Sequence, residues 1–212
     1  YAEMADAGRD ICAAVSIPVI GDGDTGYGNA INAKRTVQGY AQAGFACVMI
    51  EDQVAPKRCG HTRGKTVVDR DEACMRLQAA VDARDAGADI LLMARTDARA
   101  THGFEEAMWR ARRFREIGAD ITFLEAPRSE QEMADYCAGV DGPKMANMVE
   151  QGDTPVLPPD RLQALGYKIA VYPLTLMNAA MGAMQAALAD LKAGRTPDAL
   201  MSFSEIQEIV GF

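Results

Sequence analysis

The sequence has no basic block, no long apolar run and no paired cysteine motif, and each lack narrows what the chain can be. Of its 212 residues, 22 are Lys or Arg and 30 are Asp or Glu, a net charge of −8. Neither a nucleic-acid backbone nor an anionic membrane surface suits such a chain as a partner. No stretch reaches the roughly 18 apolar residues of a membrane span, and no signal peptide is visible. The five cysteines (Cys12, Cys47, Cys59, Cys74 and Cys137) are odd in number and scattered, without a CxxC. That fits a reducing cytoplasm better than a disulfide framework. Cys47 falls in a strand pattern and Cys74 in a helix pattern, so both read as core residues; Cys59 lies in a polar, basic loop. Histidine is scarce as well, with only His61 and His102, the latter placed as a helix cap. There is no initiating Met. The chain opens at Tyr1 in what reads as mid-helix, so an upstream segment is expected.

What is present is an ordinary globular composition, 49% hydrophobic and 25% charged, close to the size of one α/β domain. A helix over 1–14 is followed by a repeated theme. AGFACVMIED (43–52), AGADILLMART (86–96), IGADITFLEA (117–126) and LGYKIAVYPL (165–174) each pair a helix-ending Gly with a mostly apolar strand. IPVIGD (17–22) and PKMANM (143–148) add two strands without the Gly. Runs apolar on both faces suit a parallel sheet covered by helices. Between them, 29–43, 71–85 and 104–118 carry helical periodicity; in the last, Phe104, Met108, Ala111, Phe114 and Ile117 share a face. The Met- and Ala-rich stretch 174–194 reads as a packing helix, on the barrel or between subunits, and a further helix follows it. Six successive β-then-α units mean α/β. A closed (β/α)8 TIM-type barrel needs two more strands, which the expected upstream segment would supply; an open doubly wound sheet is the competitor. The domain reading is a single barrel over 1–212, incomplete at its N-terminal side.

The strand ends carry the chemistry. They close in turn on Asp22 and Asp24, on Glu51 and Asp52, on Arg95 and Asp97, on Glu125 and on Asn147. Polar groups recurring at the C-terminal ends of successive parallel strands are what a barrel active site requires. Carboxylates gathered there repel one another unless a cation sits among them. GDGDTG (21–26) matches a dinucleotide fingerprint at Gly21, Gly23 and Gly26, but Asp22 and Asp24 would repel a pyrophosphate. A calcium EF-hand loop fails because the twelfth position from Asp22 is Ala33 instead of Glu. A magnesium site with few direct carboxylates and several waters fits. Lys57-Arg58-Cys59-Gly60-His61 is the sharpest signal: a thiol set among cations suits proton transfer, and Gly60 and Gly64 would let the loop move. His61 would either orient the loop or transfer protons.

DGDTGYGN (22–29), IEDQVAPKRCGHTRGK (50–65), MARTDA (93–98), FLEAP (123–127) and ANMVEQGDTP (146–155) run in order along the chain. Together they resemble the isocitrate lyase and phosphoenolpyruvate mutase superfamily. The resemblance implies a barrel that binds Mg²⁺ (or Mn²⁺ in its place), with Asp22 a direct ligand and Asp24 and Glu51 acting through water. It implies that Arg95 grips a substrate carboxylate, that Asn147, Thr154 and Gly60 help line the pocket, and that Glu125 is a candidate base. Lys57, Arg58, Cys59 and His61 would form a catalytic loop that closes over substrate, with Cys59 protonating the departing fragment. The KRCGH loop points to the carbon–carbon lyases, nearest the 2-methylisocitrate, 2,3-dimethylmalate and petal-death group, acting by retro-aldol cleavage on a small 2-hydroxy di- or tricarboxylate. A phosphonomutase, an oxaloacetate-cleaving hydrolase or decarboxylase, and an inactive fragment are the alternatives. The resemblance further implies a cytoplasmic homotetramer whose C-terminal helices, within 174–212, are exchanged between subunits.

Overall fold

A computed structural model describes residues 1–59 and 64–211. The element order is α1 (Ala2–Ala14), β1 (Ile20–Asp22), α2 (Ala30–Ala43), β2 (Cys47–Glu51), α3 (Arg70–Asp85), β3 (Leu91–Thr96), α4 (Ala98–His102), α5 (Phe104–Ile117), β4 (Ile121–Leu124), α6 (Glu130–Gly139), β5 (Met145–Asn147), α7 (Pro159–Leu165), β6 (Ile169–Val171), α8 (Thr175–Lys192) and α9 (Phe203–Val210). All six expected strands are present, each shorter than its apolar run.

The strands are parallel and lie in chain order. β1-β2-β3-β4 form one sheet and β5-β6 another, and a parallel bridge between Thr122 and Lys144 joins β4 to the residue before β5. A doubly wound sheet would reverse its order at a switch point. Sequential order with a helix after each strand is the barrel pattern, and the open-sheet competitor falls away. Gly44 and Gly166 end α2 and α7 in the left-handed conformation, at φ 96° and 113°, and let the chain turn directly into a strand.

Two compact units can be separated, Tyr1–Val171 and Tyr172–Phe212. In the first, Val48, Ile50, Leu92 and Ala94 face outward into a cluster with Val37, Tyr40, Leu77 and Phe114 from the covering helices. In the second, α8 and α9 bury no residue; Leu176, Leu188, Phe203 and Ile209 are all exposed.

Two local expectations are corrected. His102 is not a cap: it is the last residue of α4, its Nδ1 pairing with Thr101 Oγ1 at 2.8 Å, and Gly103 precedes α5. Cys47 is buried as expected, whereas Cys74, in α3, is only half-buried.

An ion-pair ladder ties α3 to α5. Arg70 Nη2 contacts Glu106 Oε2 at 2.5 Å while its guanidinium stacks 3.9 Å over the Trp109 ring, and Arg110 Nε reaches Glu106 Oε1 at 2.8 Å. The Arg70 hydrogen bonds, reinforced by Arg110 against partial burial, pull the Glu106 carboxyl from 4.5 down to about 2. A depressed carboxyl stabilises the fold above its unfolded value and loses that contribution as pH falls through its folded value. Glu106→Gln is therefore expected to cost about 1–2 kcal/mol near neutrality, discounted because Arg70 is half-exposed. The deficit should fade between about pH 4.5 and pH 2 in urea unfolding series. A deficit that stayed constant to pH 2 would show the charge on Glu106 to be irrelevant.

Candidate active site

Side chains alternate across a strand, so residues two apart share a face. Cys47, Met93, Ile121, Phe123 and Met145 form one buried cluster, with Met49, Ile169 and Val171 packed against it. Continue each strand with the same parity to its C-terminal end and the next inward residues are Glu51, Arg95, Glu125 and Asn147. Pairing register brings Glu51 opposite Arg95, and Arg95 opposite Phe123. An apolar inner layer thus gives way to a polar one at the barrel mouth.

The loop after β1 is bent to place two acids beside Glu51. Gly23 N donates to Met49 O at 2.8 Å, Glu51 N to Asp24 O at 2.9 Å, and a Cβ on Gly23 would lie 2.8 Å from Met49 O. Only glycine fits that approach. Asp24 N donates to Asp22 Oδ1 at 2.9 Å, an Asx turn that holds Asp24 at φ 49°, a left-handed backbone uncommon outside glycine. Beneath the loop, Tyr40 OH donates to Asp22 O at 2.8 Å.

Into this cluster reaches Lys57. Its Nζ lies 3.0 Å from Asp22 Oδ2, 2.5 Å from Asp24 Oδ1 and 3.9 Å from Glu51 Oε2. Partial burial works against the ammonium, but Asp24, Asp22 and Glu51 outweigh it and raise its pKa. Glu51 is 1% exposed, and neither of its carboxylate oxygens has a hydrogen-bond partner; Arg95 Nε is 3.3 Å away. Burial pushes the Glu51 carboxyl up to about 7, with Arg95 and Lys57 limiting the rise. Orphaned buried carboxylate oxygens next to two further acids, with a cation already drawn in, form a hard oxygen set that fits Mg²⁺. Among the described residues no group of three or more His, Cys, Asp or Glu side chains is arranged to ligate one ion directly. Such a site would hold its ion through few carboxylates, with water completing the shell.

Arg95 joins this cluster to the next. Asp97 accepts from Arg95 Nε at 2.8 Å and Nη2 at 3.1 Å, while Nη1 lies 3.9 Å from Glu125 Oε2. Burial opposes the guanidinium, but Glu125, Asp97 and Glu51 raise its pKa, so it stays charged. Asn147 Nδ2 donates to both Glu125 oxygens, at 3.3 and 3.4 Å. Thr154 is buried with its hydroxyl lacking a hydrogen-bond partner.

Of the residues singled out by sequence, Asp22, Asp24, Glu51 and Lys57 are therefore gathered at one point, and Arg95, Glu125 and Asn147 beside it. The Arg58 side chain lies elsewhere, packed toward Gly64 at the base of its own loop. Cys59 is exposed. Gly60 and His61 lie outside the described residues. The structure adds Lys65, 8% exposed, whose Nζ reaches Asp97 Oδ1 at 3.2 Å, and Gln53, buried under the loop. The strand-end pattern picks out Asp97 without giving it a role; no local signal marks Gln53.

Acids, a buried arginine and a cationic loop at the C-terminal ends of sequential parallel strands define an α/β-barrel enzyme. More narrowly, the chain belongs to the phosphoenolpyruvate mutase/isocitrate lyase superfamily, since the model of the family described as phosphoenolpyruvate phosphomutase matches residues 1–192. A 2,3-dimethylmalate lyase of Eubacterium barkeri is 43% identical over 99% of this chain and 73% of its own length. A 2-methylisocitrate lyase of Aeropyrum pernix is 41% identical over 93% of this chain and 65% of its own. A crystal structure of 2,3-dimethylmalate lyase superposes with a TM-score of 0.92 at 39% identity, covering 98% of this chain and 71% of that one. A phosphonopyruvate hydrolase solved with oxalate and Mg²⁺ gives 0.82 at 30% identity, over 98% of this chain and 73% of that one. No helix among the described residues is long and apolar enough to cross a membrane.

Proposed function

We propose that the chain is the barrel of a Mg²⁺-dependent carbon–carbon lyase that cleaves a small 2-hydroxy di- or tricarboxylate, of the 2,3-dimethylmalate or 2-methylisocitrate type, to a 2-oxo acid and a carboxylate. The observation that carries this reading is the shared position of Glu51, facing the acids and Lys57 on one side and Arg95 on the other. A site for a hard cation and a site for a substrate carboxylate thereby adjoin.

Asp22, Asp24 and Glu51 would hold the ion, which supplies positive charge to the oxygens of a bound 2-hydroxy acid. Arg95, its Nε and one Nη committed to Asp97, keeps the other Nη for a substrate carboxylate as a charge-assisted donor. Glu125, oriented by Asn147, takes the proton of the 2-hydroxyl. The C2–C3 bond breaks as the hydroxyl oxygen becomes the carbonyl of the 2-oxo acid. Its electron pair passes to the leaving fragment as an aci-carboxylate, and Cys59 returns a proton to that carbon. One proton leaves oxygen and one arrives at carbon, so the reaction is balanced without an oxidant.

The test supplies Mg²⁺ and a panel of 2,3-dimethylmalate, 2-methylisocitrate, isocitrate and oxaloacetate to the full-length protein, with an EDTA control for each. Metal-dependent release of pyruvate, the expected product from either of the first two, is the supporting result. Silence across the panel from folded, metal-loaded protein would overturn the lyase reading.

A further inference from the structure

The loop that carries Lys57 and Cys59 leaves the barrel at Gln53, and this residue is tied down more heavily than any turn requires. Its main chain bridges Val67 in antiparallel fashion; Val54 N donates to Thr66 O and Val68 N to Asp52 O, both at 2.9 Å. From α3, Arg76 Nη1 donates to Gln53 O at 3.0 Å and to Glu51 O at 2.8 Å. Set on this base, the Gln53 side chain turns under the loop, 1% exposed, and grips one residue twice. Its Nε2 donates to Arg58 O and its Oε1 accepts from Arg58 N, each at 2.9 Å.

A carboxamide that satisfies both the N–H and the C=O of a residue five positions on replaces the partner strand which the loop lacks there. It fixes the main chain of Arg58 on both sides. Lys57 precedes that residue and has its ammonium among the acids; Cys59 follows it, and consecutive Cα atoms are about 3.8 Å apart. The position of the thiol relative to the acid cluster is thus set through Arg58, whose own guanidinium points toward Gly64.

We propose that Gln53 is a positioning residue for the loop: its side-chain amide holds the Arg58 main chain so that Lys57 and Cys59 keep a fixed place over the strand ends. The kinetic part rests on the proton-donor role given to Cys59 under the lyase reading; the clamp itself does not.

Gln53→Met keeps length and bulk and removes both hydrogen bonds. Hydrogen–deuterium exchange on the full chain should show the Arg58 amide exchanging about tenfold faster, the effect of one lost bond, with the Val54 and Val68 amides unchanged. On the preferred substrate kcat should fall about 10- to 100-fold, as for an ångström-scale misplacement. The KM should hold. Unchanged exchange at Arg58 overturns the clamp. Faster exchange with unchanged kcat, or a loss spread over KM and melting temperature together, overturns the positioning role. If the Met variant does not fold, Gln53→Asn, too short to span Arg58, takes its place, and unfolding of both assigns Gln53 to the fold alone. Faster exchange in a protein whose wild type is silent on every substrate leaves the clamp standing and sinks the lyase reading.

Discussion

Cys59→Ser is expected to lower kcat by about 10²- to 10⁴-fold, the range of a positioned general acid, while Mg²⁺ binding and the KM change little. The substitution keeps the shape of the side chain and trades a thiol for a hydroxyl, which gives up a proton far less readily. Cys59 is exposed, and the contacts given above for Asp22 and Glu51 run to Lys57 and Arg95. Yet it sits only two residues beyond Lys57, whose ammonium touches that cluster, and two residues of extended chain span at most about 7 Å. Under the proposed reaction the thiol protonates the fragment leaving the strand ends and takes no part in holding the ion. Steady-state kinetics with calorimetric Mg²⁺ titration separates the two. A Ser variant with wild-type kcat would remove Cys59 from the reaction, and one that lost the metal would move it into the ion site.

The barrel was legible because its grammar is local. A capping glycine, an apolar run and a polar end recur at 43–52, 86–96, 117–126 and 165–174, and parallel strands send those polar ends to one mouth. Helices α6 and α7 were implied by the alternation, and α7 by its capping Gly166, but their spans were not legible, since EQEMADYCAG offers few apolar repeats and Pro159–Leu165 is only two turns long. Lys57 shows where local reading stops. Sequence placed it among the loop cations, whereas its contact with Asp22 joins positions 35 apart and depends on how the loop folds back. Arg58, its neighbour and chemical twin, turns the other way. Glu51 and Arg95 meet through strand register, which hydrophobic pattern constrains only by parity. Gln53 is the extreme case: a single polar residue in a loop, given meaning only by the backbone it binds.

The same parity sets up the second large effect, behind the sheet and away from the mouth. Asp52, next to inward Glu51, points outward and is 2% exposed. Its carboxylate accepts from Thr96 Oγ1 at 2.7 Å, Asp97 N at 2.9 Å and Arg110 Nη1 at 3.0 Å. Burial pushes its pKa up; the hydrogen bonds from Thr96 and Asp97 and the charge of Arg110 oppose that push. Arg110, itself 2% exposed, also donates to Val68 O at 2.9 Å. Arg110→Met is expected to cost about 3–5 kcal/mol, because it strands a buried charge instead of merely removing an attraction. In a chain of this size that lowers the melting temperature by roughly 10 °C. Adding Asp52→Asn should recover about half of the loss, since a neutral amide needs no cation and the remaining donors can reorient. A double variant no more stable than Arg110→Met would place the cost in lost packing, not in the charge. Asp97, held by Asp52 through its N–H, holds Arg95 in turn, so this pair behind the sheet also fixes the cation proposed to receive the substrate.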